Sequence, residues 1–267
     1  MMAGHDKRNR GWRAGSLFVL VAALALLTSA SAIASAAPKT KTETVEFKSG
    51  DQTISGFLAE PDGAGKHPAM IVIHEWWGLN DWVKEQAEKL AGEGYVALAV
   101  DLYHGKTATD PAEAHELMRG LPQDRALKDL KAAFDFLAAR PDVKEGADIG
   151  VIGWCMGGGL ALQLAVHEPR LRACVVNYGA LPTDPGDLQN IGAPILGNFG
   201  ALDRGITPDD VKAFEKSMTK LKKFVNLKIY DDAGHGFENP NNTQAYRPEA
   251  AEDAWKRTIL FLKTVVK

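Results

Sequence analysis

The sequence predicts an α/β protein: a mostly parallel sheet with helices on both faces and an antiparallel hairpin at its N-terminal edge. Three observations carry this reading. Short apolar runs such as Tyr95–Val100 and Ile149–Trp154 read as strands buried on both faces, because polar residues do not alternate within them. Helical segments separate these runs, and they are long enough to carry the chain back between parallel strands. A Gly-rich stretch, Gly153-Trp154-Cys155-Met156-Gly157, joins one strand directly to a helix and sets a cysteine on the turn.

In chain order, Thr42–Lys48 and Thr53–Ala59 alternate apolar and polar residues around Ser49-Gly50-Asp51, the pattern of a hairpin. Pro61–Pro68 is a surface loop. Ala69–His74 is a buried strand running into Glu75-Trp76-Trp77-Gly78. Asn80 or Asp81 caps a helix through Val83, Ala87 and Leu90, which Gly92 and Gly94 stop. Tyr95–Val100 ends at Asp101-Leu102-Tyr103. Short helical material follows near Ala112–Met118. A long amphipathic helix then carries Leu127, Leu130, Ala133, Phe134 and Leu137 at helical spacing, up to Pro141. After Ile149–Trp154 and its Ala- and Leu-rich helix, the expected elements are a strand at Ala173–Val176, a strand at Ala193–Phe199 and a helix at Pro208–Leu221. A strand at Val225–Tyr230 and a closing helix from about Pro248 to Val265 complete the chain. No repeat or long polar linker divides residues 37–267, so they read as a single domain.

The bulk numbers narrow the functional classes. The 267 residues carry a formal charge of −3 and no basic stripe, which gives nucleic acid no electrostatic footprint. Only two cysteines are present, Cys155 and Cys174, so a hydrophobic core rather than a disulfide framework must hold the fold. The N-terminus reads as a secretory signal peptide. Lys7, Arg8, Arg10 and Arg13 precede an apolar run from Leu17 to Leu27, and Ala34-Ser35-Ala36 offers a cleavage site ahead of Pro38. Residues 1–36 would be removed and the mature chain would work in the periplasm or outside the cell, free of the membrane. The alternative is an uncleaved segment that anchors the protein. A free cysteine is unusual in an oxidising compartment, which favours a thiol kept for chemistry. A Cys155–Cys174 disulfide in a non-catalytic binding protein is the rival explanation.

Reactive residue types gather at strand ends, where ligands bind in open parallel sheets. Glu75 ends one strand and Cys155 another, Asp203 follows a third and His235 a fourth. A tight turn at Cys155 lifts the side chain above the sheet edge and sets it at a helix N-terminus, whose dipole favours an anion. A thiol needs a base within reach, and His235 can take its proton and return it to a leaving alkoxide. Asp203 would bond the other ring nitrogen and fix the tautomer. The chain order Cys155, Asp203, His235 is the nucleophile–acid–base order of α/β-hydrolases.

These pieces together resemble the dienelactone hydrolase family, the cysteine branch of that fold. The matching motifs are His74-Glu75-Trp76-Trp77-Gly78, Asp101-Leu102-Tyr103, Gly153-Trp154-Cys155-Met156-Gly157-Gly158, Asn177-Tyr178-Gly179, Gly200-Ala201-Leu202-Asp203 and Gly234-His235-Gly236-Phe237. The resemblance implies hydrolysis of lactones or small carboxylic esters through a Cys155–His235–Asp203 triad and a thioester. It gives Glu75 the task of holding the resting thiol and taking its proton. It assigns an oxyanion hole to the backbone N–H groups of Met156 and Trp76. It points to Trp77, Tyr103, Tyr178 and Phe237 as pocket residues. A strand-end salt bridge is the alternative reading of Glu75.

One departure bears on substrate. Where the family's prototype holds a substrate carboxylate with arginines, this chain has Gly105 after the Asp-Leu-Tyr motif and Glu238-Asn239 after the histidine. Lys106, Arg119 or Arg204 are the candidates to replace that clamp. No zinc, nucleotide or dinucleotide motif survives inspection: Gly78 stands where H-E-x-x-H needs its second histidine, and Gly63-Ala-Gly-Lys66 lacks the P-loop spacing. The expected protein is a monomer that takes a small lactone or ester and needs no cofactor or metal.

Overall fold

Among the described residues, eight strands lie side by side in the order β1-β2-β4-β3-β5-β6-β7-β8, with β2 antiparallel to both of its neighbours, β1 and β4. This computed structural model describes residues 40–144 and 148–267. Of the chain's two units, Met1–Ala36 and Ala37–Lys267, the first falls outside the described residues, and with it the expected signal peptide.

The hairpin consists of β1 (Thr40–Ser49) and β2 (Gln52–Pro61), paired from Thr40↔Pro61 to Ser49↔Gln52. Both strands outrun the alternation in the sequence because their distal ends are polar and solvent-facing. Backbone pairing, rather than burial, holds those ends. Next come β3 (Ala69–Ile73), α1 (Asp81–Gly92), β4 (Val96–Val100), α2 (Pro111–Arg119) and α3 (Gln123–Ala138). Asn80 caps α1 by accepting from Val83 N–H at 3.2 Å, a contact whose loss typically costs about 1 kcal/mol. Then follow β5 (Ile149–Trp154), α4 (Met156–His167), β6 (Ala173–Asn177), α5 (Pro185–Leu188), β7 (Ile195–Gly200), α6 (Pro208–Lys220), β8 (Val225–Tyr230) and α7 (Pro248–Val265). The four-residue α5, capped by Asp184, is too short to leave a helical period in the sequence.

The core lies in two layers, one on each face of the sheet. Successive residues of a strand point to opposite faces. Accordingly Ile71 and Ile73 join α3, α4 and α6 through Leu130, Phe134, Ala161, Leu162 and Phe214. Met70 and Val72 join α1 and α7 through Val83, Leu90, Ala254 and Leu262. Every residue of β3, β4, β5, β6 and β7 is buried, which is why these strands carry no polar alternation. The sheet thus presents the C-terminal ends of β3, β5, β7 and β8 along one edge.

Candidate active site

The turn between β5 and α4 is shaped by backbone contact. Cys155 has φ +55 and ψ −120, a conformation that L-residues seldom adopt and that costs on the order of 1–3 kcal/mol. Its N–H donates to the Asn177 carbonyl at 3.0 Å, tying the turn to β6. Side chains cannot fit beside it. A Cβ on Gly153 would lie 2.1 Å from the Gly157 carbonyl oxygen, and one on Gly157 would lie 2.4 Å from that of Ile73. Met156 opens α4, so its N–H belongs to the first helical turn, whose donors have no intrahelical acceptor.

Three of the residues expected to act together are in contact. His235 Nε2 is 3.0 Å from Cys155 Sγ, and His235 Nδ1 is 2.7 Å from Asp203 Oδ2. Asp203 is buried, and its other oxygen accepts from the N–H groups of Gly205 and Ile206 at 2.8 and 3.0 Å. Burial pushes its carboxyl up, but the bonds from His235, Ile206 and Gly205 outweigh this and hold it below the usual carboxylate range. Burial likewise works against a charged His235. The hydrogen bonds and negative charges of Asp203 and Cys155 win, raising the imidazole to about 10.

Glu75 lies in the same cavity but bonds elsewhere. Its Oε2 accepts from Asn239 Nδ2 at 2.7 Å and its Oε1 from the Tyr178 hydroxyl at 3.3 Å. Burial raises its pKa; the Asn239 and Tyr178 bonds and the charge of His235 oppose the rise without cancelling it. The Tyr178 phenol is held well above its ordinary pKa by burial and by Glu75 and Glu238, so it remains a donor. The loop carrying Glu75 and Trp76 is set by His74. Buried His74 donates from Nδ1 to the Glu75 carbonyl at 2.6 Å and accepts from Leu102 N–H at Nε2, 3.3 Å. Burial lowers its pKa, keeping the ring neutral and the two roles distinct.

A cavity of about 750 Å³ opens over these groups, within the usual range for small-molecule sites. Glu75, Trp76, Trp77, Cys155, Met156 and His235 face it, and its outer wall comes from α2, α3, α4 and the segment Ala180–Pro182. Trp76 packs edge-on against Trp77 and against His115 of α2 at ring distances of 5.0 and 4.9 Å.

Tyr103, Tyr178 and Phe237, expected as pocket residues, stand behind this wall instead. Tyr103 donates its hydroxyl to Met156 Sδ at 3.3 Å and packs on His74. Tyr178 lies edge-on to His235 at 5.2 Å, and Phe237 fills the space between Tyr178 and Tyr230, anchoring the histidine loop. Their rings serve as supports because each is buried under the strand ends. Cys155 and Cys174 are both free. The alternative bond between them is absent because Cys174 faces the α3–α4 layer, while Cys155 packs against the opposite one.

Two residues that the sequence marked only as missing arginines have structural work. Asn239 holds Glu75, as described. Glu238 accepts from Trp154 Nε1 at 2.9 Å, and its other oxygen lies 3.2 Å from the Asn177 amide. Burial raises its carboxyl to about 8, with the charge of Glu75 adding to the rise. Nothing in the residue types alone distinguishes these uses from surface loop positions. Among the described residues, no group of three or more His, Cys, Asp or Glu side chains is arranged to hold a metal ion.

Strand order, turn and cavity define an α/β-hydrolase fold. The family model for the dienelactone hydrolase family matches residues 54–266, and the chain belongs to that family. It is 35% identical over 226 residues to Protein usf of Aquifex pyrophilus, covering 82% of this chain and 96% of that protein. It is 33% identical over 232 residues to an Aquifex aeolicus protein named "putative carboxymethylenebutenolidase", covering 84% and 98%. A solved dienelactone hydrolase-like promiscuous phosphotriesterase from metagenomic libraries superposes with a TM-score of 0.79 at 26% identity, covering 85% of this chain and 99% of that one. The protein is a hydrolase of the dienelactone hydrolase type.

Proposed function

We propose that the protein hydrolyses lactones or small carboxylic esters through a thioester on Cys155. The observation that carries this reading is the unbroken contact from Cys155 Sγ through His235 to Asp203 at the floor of the cavity. With its proton already carried by His235, the sulfur attacks the ester carbonyl. The N–H groups of Met156 and Trp76 receive the negative oxygen that develops. As the tetrahedral species collapses, the alkoxide leaves with the proton from His235. Acylation removes the sulfur's negative charge and hydrogen bond, both of which raise the His235 pKa. The imidazole is then neutral and fit to take a proton from water, whose oxygen attacks the thioester and expels the sulfur. Glu75, buried in the same cavity and driven by burial toward its neutral form, is a second carboxyl in the site able to exchange the thiol proton.

The test is direct. Incubation with p-nitrophenyl acetate should give a protein mass increased by one acetyl group on the peptide containing Cys155, and Cys155→Ala should lose both adduct and turnover. Full turnover by Cys155→Ala would end the proposal. Export is a further part of this reading, supported by the basic, apolar and small-residue regions of residues 1–36. N-terminal sequencing of protein recovered from a periplasmic fraction should begin at Ala37.

A further inference from the structure

Resting on the hydrolase reading above, we infer that the substrate is an uncharged, apolar ester or lactone, and that esters bearing a carboxylate are disfavoured. The cavity contains no arginine or lysine among the described residues that line it. None of the three cations that could have replaced the missing clamp reaches it. Lys106 lines a separate cavity beside Glu113 and Glu116. Arg119 is paired with Glu116 on α2, and Arg204 is exposed. An arginine at position 105 would not simply restore the clamp, because Gly105 has φ +87, a backbone conformation that side chains disfavour.

The wall supplies instead Trp77, Met118, Leu121, Leu160, Leu181 and Pro182, with Gln123 and Gln163 as neutral polar groups. An anion entering this space would lose its hydration, would find no arginine or lysine on the wall to replace it, and would meet Glu75. The His235 imidazolium that faces the cavity already has both ring nitrogens bonded, to Asp203 and Cys155. An alkyl or aryl group laid against Trp77, Met118, Leu121, Leu160, Leu181 and Pro182 meets surfaces that gain from losing contact with water. Specificity here comes from penalising charge as much as from rewarding apolar area.

The experiment compares p-nitrophenyl esters on the wild-type mature chain. From acetate to hexanoate, kcat/KM should climb by up to about fourfold per added methylene. The p-nitrophenyl monoester of glutaric acid should be cleaved roughly a hundredfold less efficiently than the valerate, which matches it in length but ends in a methyl group. Gln163→Arg, which sets a guanidinium on the cavity wall, should narrow that gap. Cys155-dependent cleavage of the glutarate ester as fast as the valerate would overturn the inference and leave the hydrolase reading intact. If no ester is cleaved and none acylates Cys155, the hydrolase reading itself falls.

Discussion

Asn239 donates its side-chain amide to the Glu75 carboxylate at 2.7 Å across 164 positions of sequence. The bond stabilises the charged form of a carboxyl group that burial drives toward neutrality. Asn239→Ala should therefore destabilise the fold by about 1–3 kcal/mol, the cost of leaving a buried acceptor without its donor. The loss should be larger at pH 8 than at pH 5, because only the carboxylate needs the donor. Urea denaturation of both proteins at the two pH values measures this, and a pH-independent difference would exclude a bond to a charged Glu75.

Asp203→Asn should lower kcat/KM by ~10³–10⁴-fold, the scale seen when the orienting aspartate of a hydrolase triad is made neutral. It should also change the pH profile. His235 keeps its proton up to about pH 10, in part through Asp203. The alkaline limb, where the imidazolium proton is lost, should therefore lie near 10 in the wild type and shift to lower pH in the variant. An unmoved limb would separate Asp203 from the titration.

Glu238 contributes a pH-dependent cost to folding. Its carboxyl titrates near 4.5 when exposed and near 8 in the fold, so the folded state holds the proton more tightly across that interval. Stability from this group is greatest below about pH 4.5 and falls as pH rises to about 8. Glu238→Gln keeps an acceptor for Trp154 Nε1–H and cannot ionise. Its melting temperature should match the wild type near pH 5 and exceed it at pH 8.5. Equal melting temperatures at both values would mean that Glu238 is not held neutral.

At the turn, Gly157→Ala sets a methyl 2.4 Å from a backbone oxygen of β3, where no side chain can move aside. It should cost more than 4 kcal/mol by order of magnitude, or abolish soluble expression. Gly159→Ala is the control: its methyl would meet Ala180 at 3.4 Å within helical backbone. That variant should fold, with stability unchanged or raised by about 0.5–1 kcal/mol. Thermal melts of the two distinguish a requirement for close backbone approach from a general dislike of substitution in α4.

What the sequence determined by itself follows from local pattern. Largely apolar runs marked β3 to β7, helical spacing marked α1 and α3, and chain order brought Cys155, Asp203 and His235 forward as a set. Each signal is a short-range periodicity or a backbone requirement, such as the glycines flanking Cys155, and survives without knowledge of neighbours. The tertiary structure alone decided which residues face the cavity and which stand behind it. Tyr103, Tyr178 and Phe237 belong to motifs as recognisable as those of Trp76 and Trp77. Yet the first three are buried supports and the last two form wall, because a side chain's direction at a strand end depends on the loop packed over it. The partners of Glu75 were equally hidden. Asn239 and Tyr178 reach it from separate strand ends, and hydrogen bonds between distant segments leave no periodic trace in a sequence.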